Sequence, residues 1–136
     1  MRLCKALILG SIGGILYGVI ECLWRGHTHW TMILLGGALF DLLGGLNEWL
    51  PWEMRLHVQA MLGAALVTAA ELAAGLILNV WLGLGVWDYS ALPGNLWGQI
   101  CPEYAVLWVP LSAAAIVADD WLRYWIWGEE RPHYTL

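Results

Sequence analysis

The sequence predicts an all-α integral membrane protein: four transmembrane helices, with a long loop of re-entrant character between the third and the fourth. Three observations carry that expectation. Of the 136 residues, 60% are hydrophobic and 12% charged, whereas a water-soluble chain carries about 25% charged and 45–50% apolar residues. Apolar excess on this scale has to be hidden in lipid or in a partner. Four stretches, residues 6–24, 31–50, 57–81 and 104–127, reach the roughly 20 mostly apolar residues that cross a ~30 Å hydrocarbon layer at ~1.5 Å per residue. Most of the eleven tryptophans stand at or near the ends of those stretches, where amphipathic rings settle at the membrane interface.

The same composition excludes disorder, collagen and coiled coil, and the length fits one domain, residues 1–136. Six Lys and Arg against eleven Asp and Glu give a net charge of −5 with no basic run, so nucleic acid is not an expected partner. Cys4, Cys22 and Cys101 match no zinc spacing and read as free thiols.

The first stretch follows Arg2 and Lys5 and could pass for a secretory signal. It ends in Glu21-Cys22-Leu23-Trp24-Arg25 rather than in small residues, so it is expected to stay as a membrane anchor. Gly10, Gly14 and Gly18 form two overlapping G-x-x-x-G units, which predict close helix packing within one chain or between copies. Tyr17, Glu21 and Arg25 make an i, i+4, i+8 row. The second stretch is notched by Gly36-Gly37 and Gly44-Gly45 and carries Asp41, a group for cross-helix hydrogen bonding or water contact. In the third, Glu71 lies among alanines, and Asn79, eight residues on, shares its face. Towards the end of the fourth, Asp119-Asp120 beside Arg123 reads as an interfacial charge cluster.

Orientation follows from the basic residues. With the amino terminus in the cytoplasm, Arg2, Lys5, Arg55, Arg123 and Arg131 fall inside and Arg25 outside, which predicts both termini in the cytoplasm of a cell at whose plasma membrane the chain resides. Four spans then bring the loops after the first and third to one side. The longer of these, residues 86–103, is aromatic and almost without Lys or Glu. Its Gly, Pro and Asn supply turns, while Trp87, Tyr89, Leu92, Leu96 and Trp97 call for an apolar surface, so the loop is expected to fold back as re-entrant segments do.

An ionisable group at a helix centre in lipid costs at least ~2.5 kcal/mol and demands a partner, an aqueous cavity or a task. On that ground the expected binding groups at the first loop are Glu21, Arg25, His27, His29 and Trp30. The third span adds Glu71 and Asn79, and the second loop Trp87, Asp88, Tyr89, Asn95 and Gln99. Glu21 and Arg25 pair at i, i+4 spacing and can be brace and site together, and Glu71 reads as a pathway or relay acid. His27 and His29 do not have metal-motif spacing, and no metal is expected. There is no Walker motif, nucleotide fingerprint or G-x-S-x-G elbow, and no cofactor can be named.

These residues carry a resemblance. The run Gly14-x-x-Tyr17-x-x-x-Glu21-x-x-x-Arg25-Gly26-x-Thr28-His29-Trp30-Thr31-Met32, then Gly36-Gly37, Thr68-x-x-Glu71 and Asn79, opens the pattern. Val86-Trp87-Asp88-Tyr89-Ser90 with Pro93, Asn95 and Gly98-Gln99-Ile100 completes it. Together they resemble the small membrane family catalogued as ABC transporter permease type IV, or CmpB-like, and are similar to the transmembrane protein 229 group. The resemblance extends over residues 10–127. Thr31 stands where the family usually has Ser, which keeps a hydroxyl. A multi-span membrane protein is what the resemblance implies, with no substrate, reaction or cofactor attached.

Three readings follow. The leading one is a transport-type or ligand-binding component with a polar site formed by the first and third loops. A structural or assembly subunit, its polar motif an internal brace, is the second. The third is an intramembrane enzyme on a lipid substrate, with His29 as base, Asp88 orienting it and Arg25 holding a phosphate. Expected partners are the bilayer, a second copy or another membrane subunit, and a small-molecule or lipid ligand.

Overall fold

A computed structural model describes residues 2–46 and 54–134. Among these residues the chain forms four helices and no strand: α1 (Arg2–Arg25), α2 (Trp30–Gly44), α3 (Leu56–Gly75) and α4 (Pro102–Trp127). Helix α3 runs on into a π-helical turn, Leu76–Trp81. Three of the four are long and apolar enough to cross a membrane: α1 with 24 residues, α3 with its π-turn at 26, and α4 with 26. Helix α2 has 15 residues, about 22 Å at ~1.5 Å per residue. Residues 47–50 of the expected second span, with Trp49 among them, and Trp52 lie outside the described residues.

The chain divides into two compact units, one of Met1–Leu56 with Ala114–Leu136 and one of His57–Ala113. In the first, α1 turns Leu9, Gly13, Gly14, Gly18 and Glu21 inward and leaves Leu7, Ile15, Val19 and Leu23 exposed. Small and polar groups inside with large apolar ones outside is the arrangement of helices that associate in lipid, where backbone approach rather than apolar burial drives packing. The notches meet one another. A Cβ on Gly37 would lie 2.5 Å from the Gly10 carbonyl oxygen, one on Gly36 2.7 Å from the Tyr17 side chain, and one on Gly13 inside the Phe40 ring. Gly10, Gly13, Gly14, Gly18, Gly36 and Gly37 therefore serve contact between α1 and α2 of one chain.

The turn between these helices is built from its sequence. Gly26 takes φ +81 and donates its N–H to the Cys22 carbonyl at 2.9 Å, ending α1 with the left-handed residue that only glycine adopts without strain. His29 is extended and caps α2: its ring Nδ1 accepts from the Thr31 amide at 3.3 Å and lies 2.7 Å from the Thr31 hydroxyl. A cap satisfies one of the orphaned amides of a first turn.

In the second unit, α3 turns Gln59, Ala60, Gly63, Ala64, Val67, Glu71 and Gly75 inward. Rings of Trp24, Trp30, Trp81, Trp97 and Trp125 are exposed, as an interfacial belt requires. Trp87 departs from that expectation. It is only 5% exposed, because its indole N–H donates to the Gln99 carbonyl at 3.0 Å inside the loop. Cys4, Cys22 and Cys101 are free thiols, the last of them buried.

Candidate functional site

The polar residues singled out by the sequence fall into two clusters, one in each unit. That of the second unit is the denser. Its centre is Glu71, buried on α3, whose Oε1 accepts from the Tyr89 hydroxyl at 2.7 Å and whose Oε2 accepts from the Trp108 indole N–H at 2.9 Å. Glu71 stands ten residues before Trp81, about 15 Å of helix at ~1.5 Å per residue. The loop that carries Tyr89 must therefore turn back along α3 to reach it. Tyr89 is held there by stacking on Tyr104 of α4, with ring centroids 4.8 Å apart and planes 7° from parallel.

Asn79, on the π-turn, fastens the start of the same loop. Its Oδ1 accepts from the Val86 amide at 2.6 Å and the Trp87 amide at 3.4 Å, and its Nδ2 donates to Gln99 Oε1 at 2.8 Å. Gln99 Nε2 in turn donates to the Trp97 carbonyl at 2.9 Å. Gly75 is the floor of this arrangement, since a Cβ there would lie 2.5 Å from Gln99 Oε1 and 3.0 Å from Trp87. A π-turn is uncommon and gathers at functional sites. Here it ends the helix with Leu82 N–H donating to the Ile77 carbonyl at 2.9 Å, and it sets Asn79 where the incoming loop can use both ends of its amide.

The tip of the loop closes on itself. Asp88 Oδ1 accepts from the Ser90 amide at 2.9 Å, Asn95 Nδ2 donates to the Leu92 carbonyl at 2.8 Å, and the Gly98 amide donates to Asn95 Oδ1 at 3.0 Å. Trp97 takes φ +53, a left-handed conformation in a non-glycine residue. Its ring stays exposed. The Ser90 amide, and after it the Ser90 hydroxyl, hold the Asp88 carboxyl below the usual carboxylate range. That contribution is present above the ordinary value of 3.8 and fades as the pH falls through the lowered one.

The first unit holds the other predicted group. Tyr17 donates its hydroxyl to Glu21 Oε1 at 2.9 Å, and Arg25 Nε lies 3.3 Å from Glu21 Oε2. The i, i+4, i+8 row is thus a working chain of contacts. Arg25 keeps 27% of its side chain exposed, and His27 and Trp30 are exposed beyond it. Between them the Thr28 hydroxyl oxygen is buried without a hydrogen-bond partner.

Four features escaped the sequence reading. Trp108, in the second turn of α4, donates to Glu71, and its residue type is too common in this chain to have marked it. Tyr104 stacks on Tyr89, which nothing in the sequence pattern indicates. His29 acts on Thr31 as a helix cap, a role that its place before an apolar stretch could have suggested. Asp119 was expected at the interface with Asp120, yet it is wholly buried, because Gly44 leaves the space that its carboxylate fills. Outside the helices, burial and then the Asp120 carboxylate, which accepts from the Tyr134 hydroxyl at 2.9 Å, push that phenol's titration upward. Among the described residues no three His, Cys, Asp or Glu side chains are grouped to hold a metal ion.

Residues 7–118 match the family described as "Putative ABC-transporter type IV". Over 89 residues, 62% of the chain, the sequence is 30% identical to a lipoprotein signal peptidase of Gloeobacter violaceus. The chain spans about half the length of that curated relative, 50%. No solved structure matches the chain.

Proposed function

The chain belongs to the ABC-transporter type IV family, which its residues 7–118 match, and from that membership we propose that it is the membrane-embedded, ligand-contacting component of a transport system. Integral membrane character and a relation to transport come with the family and with the three long apolar helices. Residues 1–136 carry no Walker motif, so in this reading hydrolysis of a nucleotide is not a task of this membrane segment. The finer part of the proposal is a ligand seat at the turn between α1 and α2. It rests on one observation: Arg25, held on Glu21 at the end of a span, keeps 27% of its side chain exposed. A guanidinium fork suits a carboxylate or phosphate, which it grips with paired donors. His27 and the buried Thr28 hydroxyl extend the same turn.

In the second unit the contacts favour a brace. Asn79, Gln99, Trp87 and Asn95 use their polar atoms on one another and on the loop backbone, and Glu71 accepts from the Tyr89 hydroxyl and the Trp108 indole N–H. We read the loop as a fixed element within the second unit, whereas the transported molecule meets the α1–α2 turn of the first. The enzymatic alternative is supported by the likeness to a signal peptidase over half that protein's length. His29 and Asp88, its expected base and orienting acid, are engaged locally with Thr31 and Ser90.

Binding of an anion tests the seat. Purified chain in zwitterionic nanodiscs is titrated with phosphatidylglycerol in one arm and inorganic phosphate in the other, and bound species are counted by native mass spectrometry. Arg25→Gln is expected to weaken binding about tenfold or more, since a hydrogen bond to a charged group is worth ~1.5–3 kcal/mol. Glu71→Gln is expected to leave it unchanged. Equal binding by wild type and Arg25→Gln would remove the seat from the α1–α2 turn.

A further inference from the structure

The first unit contains more buried acid than its cations match. Arg123 Nε donates to Asp119 Oδ2 at 2.7 Å, which satisfies one oxygen of a carboxylate with 0% side-chain exposure. The other, Oδ1, is buried and without a hydrogen-bond partner. Asp41 on α2 repeats the pattern, with a buried and unpartnered Oδ1 and with Oδ2 against the bare face of Gly10. The two acids are neighbours. Asp41 precedes Gly44 by three residues and shares its helix face, and a Cβ on Gly44 would stand inside the Asp119 carboxylate. The charge of Asp41 acts on Asp119, and Arg123 acts on both.

The Asp120–Tyr134, Lys5–Glu129 and Arg123–Glu129 contacts among the described residues do not relieve this excess. Asp120 adds a further negative charge on α4 and is met by the neutral Tyr134 hydroxyl at 2.9 Å. Lys5 on α1 is committed to Glu129 at 2.8 Å, and Glu129 also lies 4.0 Å from Arg123. One guanidinium is thus set against two carboxylates, each with one buried oxygen lacking a hydrogen-bond partner, in an apolar surrounding where an uncompensated charge is costly and a like-charged pair cannot both ionise cheaply. A metal ion would need more donors, and no group of three or more His, Cys, Asp or Glu is placed for one among the described residues. A proton needs only the two oxygens that lack partners.

We propose that Asp41 and Asp119 hold one proton between them, forming a proton-binding site within the first unit. The proton turns one carboxyl into a hydrogen-bond donor to the other and leaves a single negative charge for Arg123. Its loss places a second charge beside Gly44, so the fit of Asp119 into that notch depends on pH. The site is separate from the anion seat at the α1–α2 turn, and the failure of either leaves the other standing.

Infrared spectroscopy of the whole chain in lipid nanodiscs tests it. The folded wild type is expected to show the stretching band of a protonated carboxyl at neutral pH, disappearing on titration to alkaline pH. In Asp41→Asn and in Asp119→Asn that titrating band is expected to be lost, because the remaining acid can ionise beside Arg123. If Asp119→Asn does not fold for want of its Arg123 partner, Asp41→Asn decides. Absence of the band from folded wild type at neutral pH, or a band of unchanged size in Asp41→Asn, overturns the proposal. A rise in melting temperature with sodium over choline, without the band, overturns it too by assigning the pair to a cation.

Discussion

Glu71 shows how a membrane-spanning helix can carry an acid. Both of its oxygens accept from neutral donors, Tyr89 and Trp108, that come from a loop and from another helix, so the carboxyl ties three segments at one point. Removing one donor leaves an acceptor buried, at about 1–3 kcal/mol. Tyr89→Phe is therefore expected to lower the melting temperature in detergent by several degrees. Asn79→Leu, which strips the Val86 and Trp87 amides of their acceptor, is expected to lower it further. Scanning fluorimetry on the purified variants measures both, and melting temperatures equal to wild type would show that the loop is not braced by these groups. The sequence revealed Glu71 and Asn79 because a polar residue in an apolar run stands out. It concealed Trp108, whose type is common in such a chain, and it misplaced Asp119, because depth is not encoded in distance from a span end. Whether an acid near that end is buried depends on the notch opposite, here at Gly44.

At the scale of elements, the helix ends follow the chain's own punctuation, and the long spans were legible to within a few residues. Residues 57–81 and 104–127 were expected, and Leu56–Trp81 and Pro102–Trp127 are observed. The pitch of the last turn of α3 was not legible, since Leu76–Trp81 carries no residue that forbids an α-helix. The loop that accepts Asn79 sets it. Helix pairing was half legible: the G-x-x-x-G spacing announced a close contact but could not say whether its partner was α2 or a second copy. The fit of Gly13 to Phe40 and of Gly37 to Gly10 makes it internal. Gly13→Ala should then cost about 1–3 kcal/mol, the range for overpacking, whereas Cys22→Ala, at an exposed position of the same helix, should be near neutral. Chemical denaturation in mixed micelles distinguishes them, and equal stability of the two variants would locate the glycine face elsewhere.

For the whole molecule, the decisive number is the count of crossings. Among the described residues three helices are long enough to span, and α2 is described over 15 residues. An even count would place both termini on one side, and the distribution of Lys and Arg predicts that this side is the cytoplasm. A fluorescent reporter fused at the carboxyl terminus should accordingly shine, and alkaline phosphatase at the same point should stay inactive. The reverse result would mean that the second stretch does not cross. Overall class was the most legible property of this sequence, because composition alone dictates the solvent. The division into two compact units was not foreseen from one apolar chain.

The wide turn at Leu76–Trp81 bears on how such a chain can drift in length. Each residue added to or removed from the helix between Glu71 and Asn79 would swing the amide by roughly 100°, away from Val86 and Trp87, so that spacing is quantised. Near Ala91 the loop is exposed and closed by its own hydrogen bonds, and there an extra residue meets neither anchor. Descendants of this sequence can grow at the tip while the stem keeps time.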